Sequence, residues 1–268
     1  MLSEVFYHAE DNGPEFMRRG CCQFAVYTAR APGKESANED CAGWIRLSED
    51  RWVFLVADGL GGLPAGASAS RLAVVTIIEH LDSVGETDDL RGALLEGIDQ
   101  ANAAILASGS GSATTLVAAE VSADGIRPYH IGDSTILVTG QRGAIKYQSV
   151  SHSPTGYLEE AGLLDEADAM VHEERHLVSN VLGSNEMRLE IGPMLPLAQF
   201  DTVLLASDAL RDNLNLDRVV GHIRMGVLEK SLAELAAGCQ QQMVSAGDDE
   251  PGHPDDLTMI AIRKNPGR

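Results

Sequence analysis

Short apolar runs and longer amphipathic runs divide the first third of the chain into strands and helices. The runs CQFAVYTAR (22–30) and RWVFLVAD (51–58) are rich in β-branched and aromatic residues and predict short strands. From about Ala67 to Leu81 and from about Leu90 to Leu106, apolar residues recur at helical spacing, with acidic residues on the other face. We therefore expect two strands followed by a pair of helices.

The rest of the chain repeats this order. The next strand-like runs are TTLVAAEVS (114–122), IRPYHIGDSTILVTG (126–140) and AIKYQSVS (144–151), and the ADG between the first two favours a hairpin. The later segments are one or two short helices at 155–170, a strand in DTVLLASDAL (201–210), helices at about 216–225 and 228–244, and a strand in DDLTMIAIRK (255–264). Because strands and helices come in blocks, the order predicts an α+β domain with antiparallel sheets.

The net charge of the chain makes some classes of binding partner unfavourable. The chain has 40 acidic and 20 basic residues, a formal net charge of −20, and such a surface repels nucleic acid and anionic membranes. No apolar run approaches the roughly 18 residues of a membrane span, and residues 1–16 do not resemble a secretory signal. We expect a cytoplasmic protein with no nucleic-acid or membrane partner. Cys21, Cys22, Cys41 and Cys239 form no CxxC pair, so we expect core or surface thiols in a reducing compartment.

Aspartates recur where apolar runs begin or end. Asp58 and Asp208 end such runs, Asp255 precedes one, Asp133 lies in HIGDSTIL inside or at the edge of a strand, and Asp40 lies in NEDCAGW. If these carboxylates converge, their mutual repulsion raises their pKa values unless cations neutralise them. Several carboxylates with few histidines are typical of a Mg²⁺ or Mn²⁺ site.

Each aspartate taken singly has a plainer interpretation. A lone Asp at a strand end is commonly a helix N-cap or a turn residue, and Asp208, which precedes ALRDNL, fits an N-cap. Asp255 fits an acidic loop equally well. The glycine-rich loop after Asp58 lacks the Lys-Ser/Thr ending of a P-loop and GxGxxG spacing, so it better suits a main-chain carbonyl directed at a cation beside Asp58.

Eight motifs follow one another along the chain: NED (38–40), DGLGG (58–62) with GASAS (66–70), SATTLVAAE (112–120), IGDSTILV (131–138), SHS (151–153), SNVLG (179–183), LLASDALRDNL (204–214) and DDLT (255–258). Their order and spacing resemble those of the metal-dependent protein Ser/Thr phosphatases (the PPM family, type 2C), in a bacterial-type single-domain form. The resemblance implies a four-layer α-β-β-α sandwich, with two central antiparallel sheets flanked by helix pairs. It also implies one phosphatase domain at 21–265 and a flap subdomain at about 154–178. Residues 1–20 are polar, and we expect them to form an N-terminal extension, either a tail or a partly packed segment.

The resemblance also implies a catalytic metal site that holds two Mg²⁺ or Mn²⁺ ions and a possible third. Asp58, Asp208 and Asp255 would be its catalytic residues. The resemblance implies that Asp58 bridges two ions and that the Gly59 carbonyl is a further ligand. Asp208 and Asp255 would bind one of these ions, and Asp40 the other, with Glu39 acting through water. Asp133, together with Asp208, would bind the third ion. Such ions activate a bridging water that attacks a phosphate monoester in line.

The chain departs from the family pattern around the phosphate. The usual phosphate-binding Arg is replaced by Glu35, and the neighbouring Lys34 is either a substitute point charge or a solvated loop residue. Leu60 and Leu63 occupy the places of a possible general-acid His, for which His130 or His152 would be substitutes. Ala209 and Asp256 also replace the usual Gly and Asn.

Three hypotheses follow. The first is a phosphatase of phosphoserine and phosphothreonine in proteins, monomeric and paired with a cognate Ser/Thr kinase. The second is a non-catalytic phosphatase-like module that binds a phosphoprotein, which the missing Arg and His favour and the complete aspartate set opposes. The third is a metal-dependent phosphatase of small metabolites.

Overall fold

The computed structural model describes residues 2–7, 13–60, 65–245 and 252–265. Its strands are β1 (Leu2–Phe6), β2 (Glu15–Arg19), β3 (Cys22–Ala29), β4 (Asp40–Arg46), β5 (Trp52–Leu60), β6 (Ala113–Thr114), β7 (Leu116–Val121), β8 (Ile126–Ile131), β9 (Thr135–Thr139), β10 (Ile145–Gln148), β11 (Glu190–Ile191), β12 (Thr202–Ala206) and β13 (Leu257–Lys264). Its helices are α1 (Ala65–Val84), α2 (Leu90–Ser108), α3 (Pro154–Glu160), α4 (Glu166–Met170), α5 (Ala209–Asn213), α6 (Leu216–Ile223) and α7 (Leu228–Ser245).

The strands form two antiparallel sheets. The first has the order β1-β4-β5-β7-β8-β11, with β6 paired to β5, and the second has the order β10-β9-β12-β13-β3-β2. Alternate side chains of each strand face opposite sides of its sheet, so each sheet has two apolar faces to cover.

Three apolar layers hold the sheets and helices together. Between the sheets, Phe24, Trp44, Trp52 and Phe54 are buried, with the Phe24 ring centroid 5.0–5.7 Å from the other three. The outer face of the first sheet packs on α1 and α2, and the outer face of the second packs on α5, α6 and α7. The predicted four-layer α-β-β-α sandwich is therefore confirmed.

The helix predictions from apolar periodicity are confirmed to within a few residues. Helices α1, α2, α6 and α7 occupy the segments predicted from their spacing, and the segment 155–170 contains two short helices, α3 and α4. Side chains of Asp89, Ser153, Asp165 and Asn215 accept hydrogen bonds from backbone N–H groups at the starts of four helices, which satisfies donors that a helix leaves free. None of the described helices is both long and apolar enough to cross a bilayer.

Two segments differ from the pattern expected from sequence. In the described part of segment 1–20, β1 pairs with β4 and β2 pairs with β3, so this segment adds an edge strand to each sheet. The run IRPYHIGDSTILVTG is not one strand but two, β8 in the first sheet and β9 in the second. Asp133 thus lies in the connection that crosses between the sheets, where Gly132 has a φ of +101°.

Candidate functional site

One end of the second sheet carries three of the aspartates expected from sequence. Because β9, β12 and β13 are antiparallel neighbours, the start of β9, the end of β12 and the start of β13 lie side by side. Asp133 comes just before β9, Asp208 just after β12 and Asp255 just before β13. The strand register therefore brings together residues that lie far apart in sequence.

The first sheet contributes two more aspartates. Asp40 at the start of β4 is paired in register with Asp58 on β5. The backbone of Asp58 is fixed by the TT of SATTLVAAE: its N–H donates to Thr115 Oγ1 (3.0 Å), and its carbonyl accepts from Thr114 Oγ1 (2.7 Å) and from the Thr115 N–H (2.8 Å). These three hydrogen bonds thus fix the backbone that carries the Asp58 carboxylate.

The two sets of aspartates form one electrostatic group. Removal from bulk water raises the pKa of Asp58 well above its usual range, and the charges of Asp208, Asp40, Asp255 and Asp133 raise it further. Burial also raises the pKa values of Asp40 and Asp133 well above their usual range, and that of Asp255 to about 7. We call these five residues the aspartate cluster.

Several oxygens of the aspartate cluster have no partner. Both carboxylate oxygens of Asp40, which is 1% exposed, and one oxygen each of Asp133 and Asp208 are buried without a hydrogen bond from the described residues. Asp208 stands at the N-cap position of α5 but makes no side-chain capping bond, so the capping interpretation does not account for it. Unpaired buried carboxylates are costly, and oxygen donors of this kind fit hard divalent cations.

Asp212 is an acidic neighbour of the aspartate cluster that the sequence patterns did not single out. It lies one turn after Asp208 on α5, and its N–H donates to the Asp208 carbonyl (3.0 Å). Burial and the charges of Asp208 and Asp133 raise its pKa well above its usual range, while the charge of Arg175 opposes the rise. The spacing of four residues from Asp208 is the signal that predicts its position.

Two glycines let the backbone pass close to the aspartate cluster. A Cβ atom at Gly59 would overlap the Gly66 carbonyl oxygen, and one at Gly66 would lie 2.6 Å from Glu39 Oε1. The Gly59 N–H also donates to the Glu39 carbonyl (3.1 Å). Glycine is therefore needed here for close approach, as expected from the composition of the loop. Gly61, Gly62 and Leu63 lie outside the described residues.

Lys34 is held beside the aspartate cluster by two carboxylates. Its Nζ donates to Glu39 Oε2 (2.8 Å) and to Asp256 Oδ2 (2.6 Å). The same Asp256 side chain accepts from the N–H groups of Ala31 (2.8 Å) and Glu39 (2.7 Å). Asp256, which replaces the usual Asn, is thus paired with the Lys34 ammonium group. Lys34 is therefore not a solvated loop residue, because it is bound to two carboxylates.

A cavity of about 290 Å³ opens between the aspartate cluster and segment 154–178. Its lining includes Asp133, Asp208, Asp212, Arg175 and Arg211. Arg211 forms an ion pair with Glu166 of α4. Arg175 donates to the His172 carbonyl (3.2 Å), and within the described residues it forms no ion pair with a carboxylate. Arg175 therefore offers this cavity a guanidinium not already used by an acidic side chain.

His130, His152 and Glu190 lie together beside this cavity. Their ligand atoms are within 4.8 Å of one another, a separation that by itself would suit an ion. However, His152 Nδ1 accepts from the Gly132 N–H (3.1 Å), so its Nε2 carries the ring proton and faces Glu190 Oε2 (3.2 Å). Because both nitrogens of His152 are engaged, this residue is better described as a hydrogen-bonded support than as a general acid. Both ring nitrogens of His130, in contrast, are buried without a hydrogen bond from the described residues.

Comparisons with known proteins agree with this geometry. The family model described as protein phosphatase 2C matches residues 30–244. The serine/threonine phosphatase stp of Listeria welshimeri is 26% identical over 238 residues, which cover 85% of this chain and 90% of that protein. The structure of the Mycobacterium tuberculosis phosphatase PstP/Ppp superposes with a TM-score of 0.75 at 23% identity, covering 92% of this chain and 100% of the other. A second structure of the PstP catalytic domain, in complex with two manganese ions, has a TM-score of 0.73 at 23% identity, covering 92% and 99%.

Proposed function

Because this chain belongs to the protein phosphatase 2C family, we propose that the aspartate cluster is the active site of a metal-dependent phosphatase that hydrolyses phosphoserine and phosphothreonine in proteins. The observation that carries the proposal is the set of buried, unpartnered carboxylate oxygens at Asp40, Asp133 and Asp208. A module that only binds phosphoproteins gains nothing from such a cluster, because it bears the cost of crowding acidic groups without using them.

The ligands that we propose follow the strand register. Asp58, which is paired in register with Asp40, would be shared by two divalent cations, with the Gly59 carbonyl as a further ligand. Asp208 and Asp255 would hold one cation, Asp40 would hold the other with Glu39 acting through water, and Asp133 with Asp208 would hold a third. The related PstP catalytic domain is in complex with two manganese ions, which supports two cations at Asp58. Because all the proposed ligand atoms are oxygens, the site suits Mg²⁺ as well as Mn²⁺.

We assign different residues of this chain different roles in hydrolysis. When bound, the cations lower the pKa of water so that hydroxide is available near neutral pH. Thr114 and Thr115 fix the Asp58 backbone, which keeps the carboxylate aligned with Asp40. Lys34 neutralises Asp256 and positions Glu39. In the cavity, the Arg175 guanidinium binds the phosphoryl oxygens of the substrate, with a fork geometry that a lysine lacks.

Turnover of a phosphopeptide tests the function directly. We expect purified protein with Mn²⁺ to release phosphate from a phosphothreonine peptide and from p-nitrophenyl phosphate, with the higher kcat/KM for the peptide. Phosphopeptide binding without phosphate release would favour the binding module instead. Preference for a small phosphorylated metabolite over every phosphopeptide tested would favour the metabolite phosphatase.

Arg175→Met is expected to raise KM for the phosphothreonine peptide by about ten- to a hundredfold, because a hydrogen bond to a charged group contributes about 1.5–3 kcal/mol. Arg142→Met, which removes an exposed arginine from a loop, is the matched control and should leave KM unchanged. Steady-state kinetics with the peptide measure both effects.

Lys34→Met separates the two candidate phosphate contacts. We expect it to destabilise the protein by about 1–3 kcal/mol, because the buried Asp256 loses its cation, and Asp256→Asn in the same chain should recover most of the loss. If Lys34→Met raises KM and Arg175→Met does not, Lys34 is the phosphate contact, as expected from sequence.

The proposal extends to partners and location. A protein phosphatase of this kind acts on substrates that a Ser/Thr kinase has phosphorylated, so we propose a cognate kinase, a cytoplasmic location and a monomeric enzyme. The net charge of −20 supports the absence of nucleic acid and anionic membranes among its partners.

A further inference from the structure

Two adjacent cysteines face one another at the turn between β2 and β3. The Sγ atoms of Cys21 and Cys22 are 3.4 Å apart. Neighbouring side chains of a strand normally point to opposite faces, but Cys21 lies in the turn before β3, and both side chains contact the apolar layer between the sheets. The turn is fixed by the Cys21 N–H, which donates to the Glu49 carbonyl (3.3 Å), and by the Cys21 carbonyl, which accepts from the Asn265 N–H (2.7 Å). The thiol pair is thus a product of this backbone path.

The two thiols differ in their surroundings. Cys22 is fully buried, whereas Cys21 is half-buried. The hydrogen bond from Cys22 lowers the pKa of Cys21 to about 7, although its partial burial and the charge of Asp50 oppose the change. The same pairing and burial raise the pKa of Cys22. Since the thiolate is the nucleophilic form, Cys21 is the reactive member of the pair and Cys22 the protonated one.

The other two cysteines provide an internal comparison. Cys41 and Cys239 are fully buried, so neither thiol is open to a peroxide from solvent, and burial raises the pKa of the Cys239 thiol to about 12. The Cys41 thiol donates to the Ala42 carbonyl (3.9 Å) and the Cys239 thiol to the Ala209 carbonyl (3.4 Å). Reactivity is therefore expected at Cys21 and not at these sites.

We propose that Cys21 and Cys22 form a modification site for peroxides, at which Cys21 is oxidised first and Cys22 resolves the product to a disulfide. The Cys21 thiolate attacks one oxygen of hydrogen peroxide, the O–O bond breaks, and sulfenic acid and water form after the departing hydroxide takes a proton. The Cys22 thiol then loses its proton as its sulfur attacks the Cys21 sulfur and the S–O bond breaks, and the sulfenic hydroxyl takes up that proton and leaves as a second water. Both sulfurs are oxidised by one electron each, and one peroxide is reduced to two waters.

This site lies at the opposite end of β3 from the aspartate cluster. Cys22 begins β3, and Ala29 ends it opposite Leu257, next to Asp255. At about 3.3 Å per residue, the length of β3 separates the thiol pair from the aspartate cluster by roughly 23 Å. The inference therefore does not depend on the proposed function, and oxidation can be measured without any phosphatase assay.

Peptide mass analysis of the reduced full chain, treated with graded hydrogen peroxide, tests the proposal. We expect the peptide that contains Cys21 and Cys22 to lose the mass of two hydrogens, in a change that dithiothreitol reverses, at a rate at least about tenfold above that of Cys41 or Cys239. In Cys22→Ser, dimedone should trap a sulfenic acid at Cys21. In Cys21→Ser, neither product should form at the same dose.

Three results would overturn the proposal. In the first, Cys21 is oxidised no faster than Cys41. In the second, the wild type gives the same dimedone adduct as Cys22→Ser and no disulfide, which removes the resolving role of Cys22. In the third, Cys21→Ser is oxidised at Cys22 as fast as the wild type. A Cys41→Ser variant should behave as the wild type and controls for the substitution itself.

Discussion

Asp58→Asn should lower kcat by about a hundredfold or more, the size of effect that follows the loss of a principal electrostatic element of an active site. In the metal-free protein the same change should not lower stability and should raise it, because one member of a group of mutually repelling carboxylates becomes neutral. Turnover of the phosphothreonine peptide, together with thermal melting in EDTA and in Mn²⁺, measures both effects.

Asp99→Asn is the matched control, because Asp99 is exposed on α2 away from the aspartate cluster. It should leave turnover and melting unchanged. Equal stabilisation of wild type and Asp58→Asn by Mn²⁺, with activity retained in the variant, would mean that the metal site lies elsewhere. A lower melting temperature in EDTA would instead indicate a capping or turn role for Asp58.

Removal of divalent cations by EDTA should abolish activity and make stability depend on pH in a specific direction. Burial raises the pKa of Asp255 to about 7 and those of Asp40, Asp58 and Asp133 well above their usual range, so the native state binds more protons than the unfolded state from about pH 4 upward. The metal-free protein should therefore lose stability as pH rises from about 4 through about 7.

Urea unfolding in EDTA and in Mn²⁺ across this pH window tests that expectation. Mn²⁺ should flatten or reverse the slope, since bound cations favour the ionised carboxylates. Activity that survives in protein shown to be free of metal would contradict the mechanism. A metal-free stability that rises with pH across the window would contradict the assigned environment of the aspartate cluster.

Local sequence patterns predicted the helices and the approach of the aspartates well. Apolar residues at helical spacing place α1, α2 and α7 because each of these helices is long and buries one face. The positions of the aspartates at the ends of apolar runs made their convergence a condition to consider, and the resemblance to the phosphatase family implied it. In the structure, antiparallel neighbours bring such ends to one edge of a sheet. The metal roles of these aspartates stay predictions.

Features that depend on tertiary contacts were not predicted. DCAGWIR was not recognised as a strand, yet β4 lies between β1 and β5, where packing on α1 accepts a glycine at position 43. The division of one apolar run into β8 and β9 depends on the φ of Gly132, which composition does not reveal. The position of Arg175 depends on how segment 154–178 folds over the cavity, which no local pattern encodes.

The place of β13 in the second sheet has a consequence for synthesis of the protein. This strand, residues 257–264, lies between β12 and β3, both of which leave the ribosome earlier. Until β13 is made, β12 and β3 each present an unpaired edge, which is a template for association with other chains. Most of the apolar residues of the chain are therefore synthesised before the second sheet can form completely. Asp255, which lies just before β13, can reach the other aspartates only when this strand pairs. We therefore expect folding to be completed only after residue 264 has emerged, with chaperone binding to β3 or β12 before then.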